Sequence, residues 1–370
     1  MMLTADLPDA HFASDTPSVA DHTLKTGTFT LRTLPVEIGE LNETMSLASK
    51  RRLHNSEDGS ELMFETVNTI PFGAEPEIRR KIRISEGLIC CTMDMAMRAS
   101  CPLTMLSAGG MVISGGIREI GLILPPQKGS EPAMQESRVW TEIKEDEVLF
   151  DAPYPPLGLT LTAEKERLDW MIGDDLWRWT NAERIGGGKA RFVITRKEQG
   201  LRMEWKLFEK TPARGVEDEP VPGRNWRLTW AAAWTALPLP RKKKAARVFD
   251  LASFDWPENA RASASLKKTK TAGDACFCAV AVQNVLKKWL RSNWDGAEDG
   301  MVFELKNVEP RYCVNASHAD RAKFKSLPHW DMMSILEFRR WAVRLLAKKN
   351  AQLRLRTPDR SPWRGFMTLD

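Results

Sequence analysis

The sequence predicts a mainly β protein: a large antiparallel β-sandwich over residues 27–236, followed by a basic C-terminal α/β region with two helices over residues 237–370. Three observations predict it. Apolar and polar side chains alternate with period two from Thr28 onward, short acidic or polar glycine turns separate the alternating segments, and helical periodicity is scarce before residue 235. Residues 1–26 are polar and aperiodic and are expected to form an N-terminal arm.

The elements follow in chain order. Thr28 to Leu34 places Phe29 and Leu31 on one side and Thr28, Thr30 and Arg32 on the other. Ser56-Glu57-Asp58-Gly59 leads into the segment Leu62 to Val67, and Ser85-Glu86-Gly87 joins Arg80–Ile84 to Leu88–Met97. The clearest strand has Leu201, Met203, Trp205 and Leu207 facing in and Arg202, Glu204 and Lys206 facing out. Lys197-Glu198-Gln199-Gly200 before it is of hairpin length, with glycine at a position that can take positive φ. Val36–Leu41, Arg118–Leu124, Val139–Ile143, Leu157–Leu161 and Asn225–Trp234 are further strands. The Gly- and Ser-rich stretch Leu103–Gly116 reads as a loop, as does Pro125–Glu136.

Composition changes at Leu237-Pro238-Leu239-Pro240-Arg241-Lys242-Lys243-Lys244, which marks a linker or domain edge. Beyond it, Gly273 or Asp274 is expected to cap a helix with Cys278, Val282, Val285, Leu286 and Trp289 on one face. A second helix spans about Asp331 to Lys349, with Ile335, Phe338, Ala342 and Leu345 inward and Arg339, Arg340, Arg344 and Lys348 outward. Val302–Leu305 and Gln352–Arg356 return to a sheet.

The chain is close to ordinary globular composition, with 42% hydrophobic and 28% charged residues, which argues against wholesale disorder. No apolar run approaches the ~18 residues of a membrane helix, so no membrane association is expected. The start lacks the basic and apolar parts of a secretory signal, and a cytoplasmic location is expected. Six cysteines have neither disulfide-framework nor zinc spacing, so the expectation is buried thiols and no metal. No cofactor motif occurs either: Ile185-Gly186-Gly187-Gly188-Lys189-Ala190 lacks the spacing and the hydroxyl residue of a phosphate loop.

Charge is unevenly placed. Residues 1–240 hold 28 Lys+Arg against 35 Asp+Glu, a balance of −7, whereas residues 241–370 hold 26 against 14, a balance of +12. Arg241–Lys244 and Lys267–Lys270 are basic runs without a nucleic-acid module, so nucleic acid is not the expected partner. The oligomeric state is left open.

Tryptophan usage is the most unusual feature, with fourteen Trp against two Tyr and eight of the Trp between residues 140 and 234. A Trp face packs against the C–H face of a sugar while neighbouring charged groups take its hydroxyls. Trp205, Trp226 and Trp230 alternate with polar residues and fit a core. The run Asp174-Asp175-Leu176-Trp177-Arg178-Trp179 mixes charge with aromatics and is the candidate ligand site, with Asp174, Asp175, Trp177, Arg178 and Trp179 as its contacts. His329 and Asp331 are the acid/base candidates; an alternative makes Asp331 a helix cap and Trp330 a core residue. Cys276 and Cys278 open the first helix and, with His318 or His329 downstream, permit a cysteine hydrolase.

In architecture the expected fold resembles the supersandwich of galactose-mutarotase-like and polysaccharide-processing proteins, although no catalytic motif of those families can be placed on these residues. The leading functional expectation is binding or processing of a carbohydrate, neutral or anionic. The alternatives are a non-catalytic assembly protein with a basic C-terminal docking surface, and a cysteine hydrolase.

Overall fold

The computed structural model describes residues 23–34, 37–40, 43–46, 48–55, 62–69, 77–85, 88–96, 103–124, 134–172, 189–209, 225–237, 245–261, 275–310, 312–313, 318 and 329–357. The chain divides into two compact units, Met1–Pro125 with Ala133–Pro238, and Pro126–Pro132 with Leu239–Asp370.

The first unit is a sandwich of two antiparallel sheets. Among the described residues one sheet has eight strands: β1 (Thr23–Lys25), β2 (Thr30–Leu34), β3 (Glu37–Glu40), β4 (Glu43–Ser46), β9 (Leu103–Ser114), β12 (Val148–Ala152), β15 (Lys189–Lys197) and β16 (Gly200–Glu209). The other has nine, in the order β11 (Met134–Val139), β10 (Glu119–Leu124), β13 (Gly158–Thr162), β14 (Glu166–Ile172), β17 (Asn225–Ala236), β8 (Leu88–Ala96), β7 (Glu77–Ser85), β6 (Leu62–Thr69) and β5 (Ala48–Asn55). All three expected hairpins form, pairing Asn55 with Leu62, Ser85 with Leu88 and Lys197 with Gly200. β1 lies within the stretch expected as an arm and pairs with β2; residues 1–22 fall outside the described residues.

Period-two alternation builds the core. Leu201, Met203, Trp205 and Leu207 of β16 are buried while Arg202, Glu204 and Lys206 are half-exposed. They meet Leu168, Trp170, Leu228, Trp230 and Trp234 from the facing sheet. An aromatic cluster ties the layers: the Trp205 ring lies 5.9 Å from Trp170, 6.1 Å from Phe192 and 6.5 Å from Trp230. Four tryptophans between residues 140 and 234 therefore belong to the core, and the unusual Trp content is in large part a packing feature. The Trp226 side chain lies outside the described residues.

Two local expectations are corrected. Leu103–Ser114 is a twelve-residue strand, not a loop: Gly109 and Gly110 adopt φ of 81° and 149° where the β9–β16 register shifts beside Trp205, so glycine here marks a bulge in a central strand. Val139 ends β11, and the residues after it form a three-ten turn, Trp140–Glu142, on which Arg196 stacks 5.0 Å from the Trp140 ring.

The second unit is a parallel sheet, β18 (Arg247–Asp250), β19 (Val302–Lys306) and β22 (Gln352–Arg356), in that order, with the two helices as crossovers: α1 (Val280–Trp294) and α2 (Met332–Ala347). Phe303 in β19 packs on Trp289 of α1. The two helices run side by side, with Cys278 Sγ 3.3 Å from Ser334 Oγ at one end and the Trp294 Nε1–H donating to the Leu345 carbonyl at the other. The N-cap of α1 is Ala279, not Gly273 or Asp274: burial of Cys276 and Phe277 in a turn ahead of the helix overrides the capping preference of the earlier residues. Arg339, expected outward, is buried, because α2 buries a wider stripe that includes Leu336 and Leu346. Arg344 and Lys348 are exposed. No helix among the described residues is long and apolar enough to cross a membrane.

Candidate ligand-binding face

In the nine-stranded sheet the side chains that alternate with the core point to the outer face, and on the central strands these too are buried. β17 turns Leu228, Trp230, Ala232 and Trp234 inward and leaves Thr229, Ala231, Ala233 and Thr235 on the outer face. β14 turns Leu168, Trp170 and Ile172 inward and leaves Arg167, Asp169 and Met171 outside. Antiparallel register then sets the neighbours: Asp169 lies between Thr160 of β13 and Ala233 of β17, Arg167 faces Thr235, and Met171 faces Ala231.

Asp169 is 1% exposed, and Arg167 grips it as a fork: Nε donates to Oδ1 at 2.9 Å and to Oδ2 at 3.0 Å, and Nη2 donates to Oδ1 at 2.7 Å. Burial nonetheless pushes the Asp169 carboxyl above the ordinary range, against the opposing pull of Arg167. A sheltered carboxyl poised this way accepts hydrogen bonds when ionised and donates one when protonated. Beside it, the hydroxyls of Thr229 and Thr235, each 8% exposed, have no hydrogen-bond partner. Leaving a buried hydroxyl unpaired costs roughly 1–3 kcal/mol. This layer thus combines an ion pair and two orphan hydroxyls with Ala231, Ala233 and Met171, which are already covered by other atoms of the chain.

Because the folded chain holds the Asp169 proton more tightly than the unfolded chain, this group's contribution to stability is full below the ordinary Asp value of about 3.9 and is lost as pH rises through the folded value. Measured against Asp169→Asn, the wild-type Tm is expected to fall as pH is raised from acid to neutral. A relative rise would mean that Arg167 outweighs burial.

The sequence-derived candidates distribute differently. Asp174, Asp175, Trp177, Arg178 and Trp179 lie outside the described residues, beginning two positions after β14 ends. His329 pairs through its backbone with Cys313 in a short antiparallel ladder of the second unit. Asp331 occupies the N-cap position of α2 but makes no side-chain cap; it is fully buried, and its Oδ2 accepts the Phe277 N–H at 2.8 Å, tying the turn before α1 to the start of α2. His318 is buried with Nε2 donating to the Asn259 carbonyl at 2.9 Å. Cys276 is buried, and Cys278 faces Ser334. In the sandwich, burial pushes the Cys91 thiol up to about 12, which keeps it protonated and unreactive.

Sequence reasoning missed Arg167, Asp169, Thr229 and Thr235. The signal available was Leu168-x-Trp170-x-Ile172, a period-two run that identifies β14 and sends Arg167 and Asp169 to the other face.

No family model matches the chain, and no curated protein matches it. Solved structures with a likeness include the α-N-acetylgalactosaminidase NagBb from Bifidobacterium bifidum in complex with GalNAc, at 8% identity and TM-score 0.36, with 91% of this chain and 56% of that one covered. The galactosidase domain of the α-galactosidase-sucrose kinase AgaSK matches at 8% identity and TM-score 0.36, covering 92% and 62%. Galactose 1-epimerase from Lactobacillus acidophilus NCFM matches at 9% identity and TM-score 0.35, covering 60% and 96%. The chain thus spans little more than half the length of the α-N-acetylgalactosaminidase chain.

Proposed function

We propose that the sandwich unit binds a carbohydrate beside the central strands of the nine-stranded sheet. The observation that carries this reading is the pair of buried hydroxyls, Thr229 and Thr235, without partners on the strand next to the buried Asp169 and its half-buried partner Arg167. A ligand rich in hydroxyls supplies both donors and acceptors to such groups, and in a site sheltered from water those bonds are not contested by solvent. Arg167 is already committed to Asp169, so a neutral sugar suits the face better than a uronate, which would compete for the same guanidinium.

A glycan array followed by calorimetric titration tests this. Binding is expected, with affinity at least tenfold lower in Asp169→Asn and in Thr235→Val. The Thr235→Val protein should melt no lower than wild type, because the substitution removes an orphan hydroxyl at constant shape. Binding by no glycan, or binding indifferent to both substitutions, would sink the proposal. Trp177 and Trp179 enter the same reading from sequence alone, as rings that stack on the sugar; a Trp177→Ala, Trp179→Ala double variant is expected to bind more weakly. His329 and Asp331 remain acid/base candidates, the latter with its carboxylate engaged at the Phe277 amide.

A further inference from the structure

We infer that the outward side of the α1–α2 layer in the second unit docks an acidic helical segment of a partner protein. Trp341 lies within this side, and cations surround it. From α1, Lys287 Nζ and the Arg291 guanidinium each lie 5.6 Å from the centre of its ring. On α2, Arg344 and Lys348 follow Trp341 by three and seven residues, the spacing that keeps them on its side of the helix. Arg291, Arg344 and Lys348 are exposed and Lys287 is half-buried, so the charge is open to solvent. α1 contains no acidic residue and α2 only Glu337, one turn before Trp341; Asp295 follows just past the end of α1.

Like charges one turn apart, as Lys287 and Arg291 are on α1 and Arg344 and Lys348 on α2, repel and weaken their own helix. The negative face of the indole offsets part of this for the α1 pair, and carboxylates arriving from a partner offset more. Spacing selects the form of that partner. Each of the two pairs spans about 6 Å along its helix axis, and carboxylates recurring every four residues on another helix have the same spacing. The planar fork of arginine also suits a carboxylate, which it can hold with two bonds. A nucleic-acid strand offers negative charge as well, but general strand binding uses open aromatic faces on which bases stack. The Trp341 ring is instead engaged by the two cations and by Phe338, whose ring centre lies 5.8 Å away.

Titration of the full chain with a fluorescent Ala-based helical peptide carrying Glu at every fourth position tests the inference. Binding is expected, weakening by roughly tenfold or more as salt is raised from about 50 to about 300 mM. Arg291→Glu and Arg344→Glu are each expected to weaken it by roughly tenfold, while Arg247→Glu, at an exposed position on β18, leaves it unchanged. A peptide with Lys in place of Glu should bind the Arg291→Glu, Arg344→Glu double variant better than it binds wild type, which separates lost charge from lost fold. A peptide of the same composition with its glutamates bunched without the four-residue repeat should bind several-fold more weakly; equal binding overturns the helical register. Tighter binding of heparin or of single-stranded oligo-dT at matched charge overturns the choice of an acidic protein segment. Failure of all three probes at low salt overturns the docking surface itself.

Discussion

Gly110→Ala is expected to destabilise the sandwich by on the order of 3 kcal/mol or more, and to lower the yield of folded protein accordingly. Gly110 sits in the middle of β9 at φ 149°, opposite Glu204 of β16. A Cβ built there would run into the backbone carbonyl of Met203, a rigid neighbour held in the ladder on both sides. The substitution therefore combines a strained backbone with a steric overlap that no rotamer change relieves. β9 also pairs β2 and β3 along its other edge, so a shift of β9 away from β16 would break those ladders too. Gly116→Ala is the internal control, because a Cβ there meets nothing within 4 Å. Urea unfolding followed by circular dichroism should show a lower midpoint for Gly110→Ala and little change for Gly116→Ala. Equal midpoints would mean that the bulge relaxes freely.

The same residue explains one way the sequence misleads. Glycine and serine in Leu103–Gly116 carry the composition of a loop, yet Gly110 serves close approach between two strands, and composition does not separate these roles. Alternation does better where one face is dry and the other wet, as in Leu201–Leu207. It becomes harder to use in β14 and β17, which are buried on both faces, because polar residues there are few and no longer mark solvent. That is also where the candidate site lies. Its residue types are visible in the sequence as Arg-x-Asp and Thr-x-Ala-x-Ala-x-Thr, but the property that singles out Thr229 and Thr235, a hydroxyl buried without a partner, belongs to the packed structure and to no local pattern. The tryptophans show the converse. Their number invited a sugar-stacking role, while Trp170, Trp205, Trp230 and Trp234 fill the space between the sheets.

Trp205→Ala is expected to cost about 3–5 kcal/mol, the range for removing a large aromatic side chain from a packed core. Trp205 projects from the central strand β16 and is 2% exposed, and its ring touches aromatic neighbours from its own sheet and from the facing one, so its loss opens a cavity between the two layers. Trp205→Phe separates the contributions. The indole Nε1 of Trp205 is buried without an acceptor, so replacing indole with phenyl breaks no hydrogen bond and removes an unpaired donor. The remaining loss is volume and part of the ring stacking, and it is expected to be less than half that of the alanine variant. If the two substitutions destabilise equally in denaturant titration with the same m value, the polar edge of the ring matters more than its volume, and the account of the inter-sheet cluster as a packing feature fails.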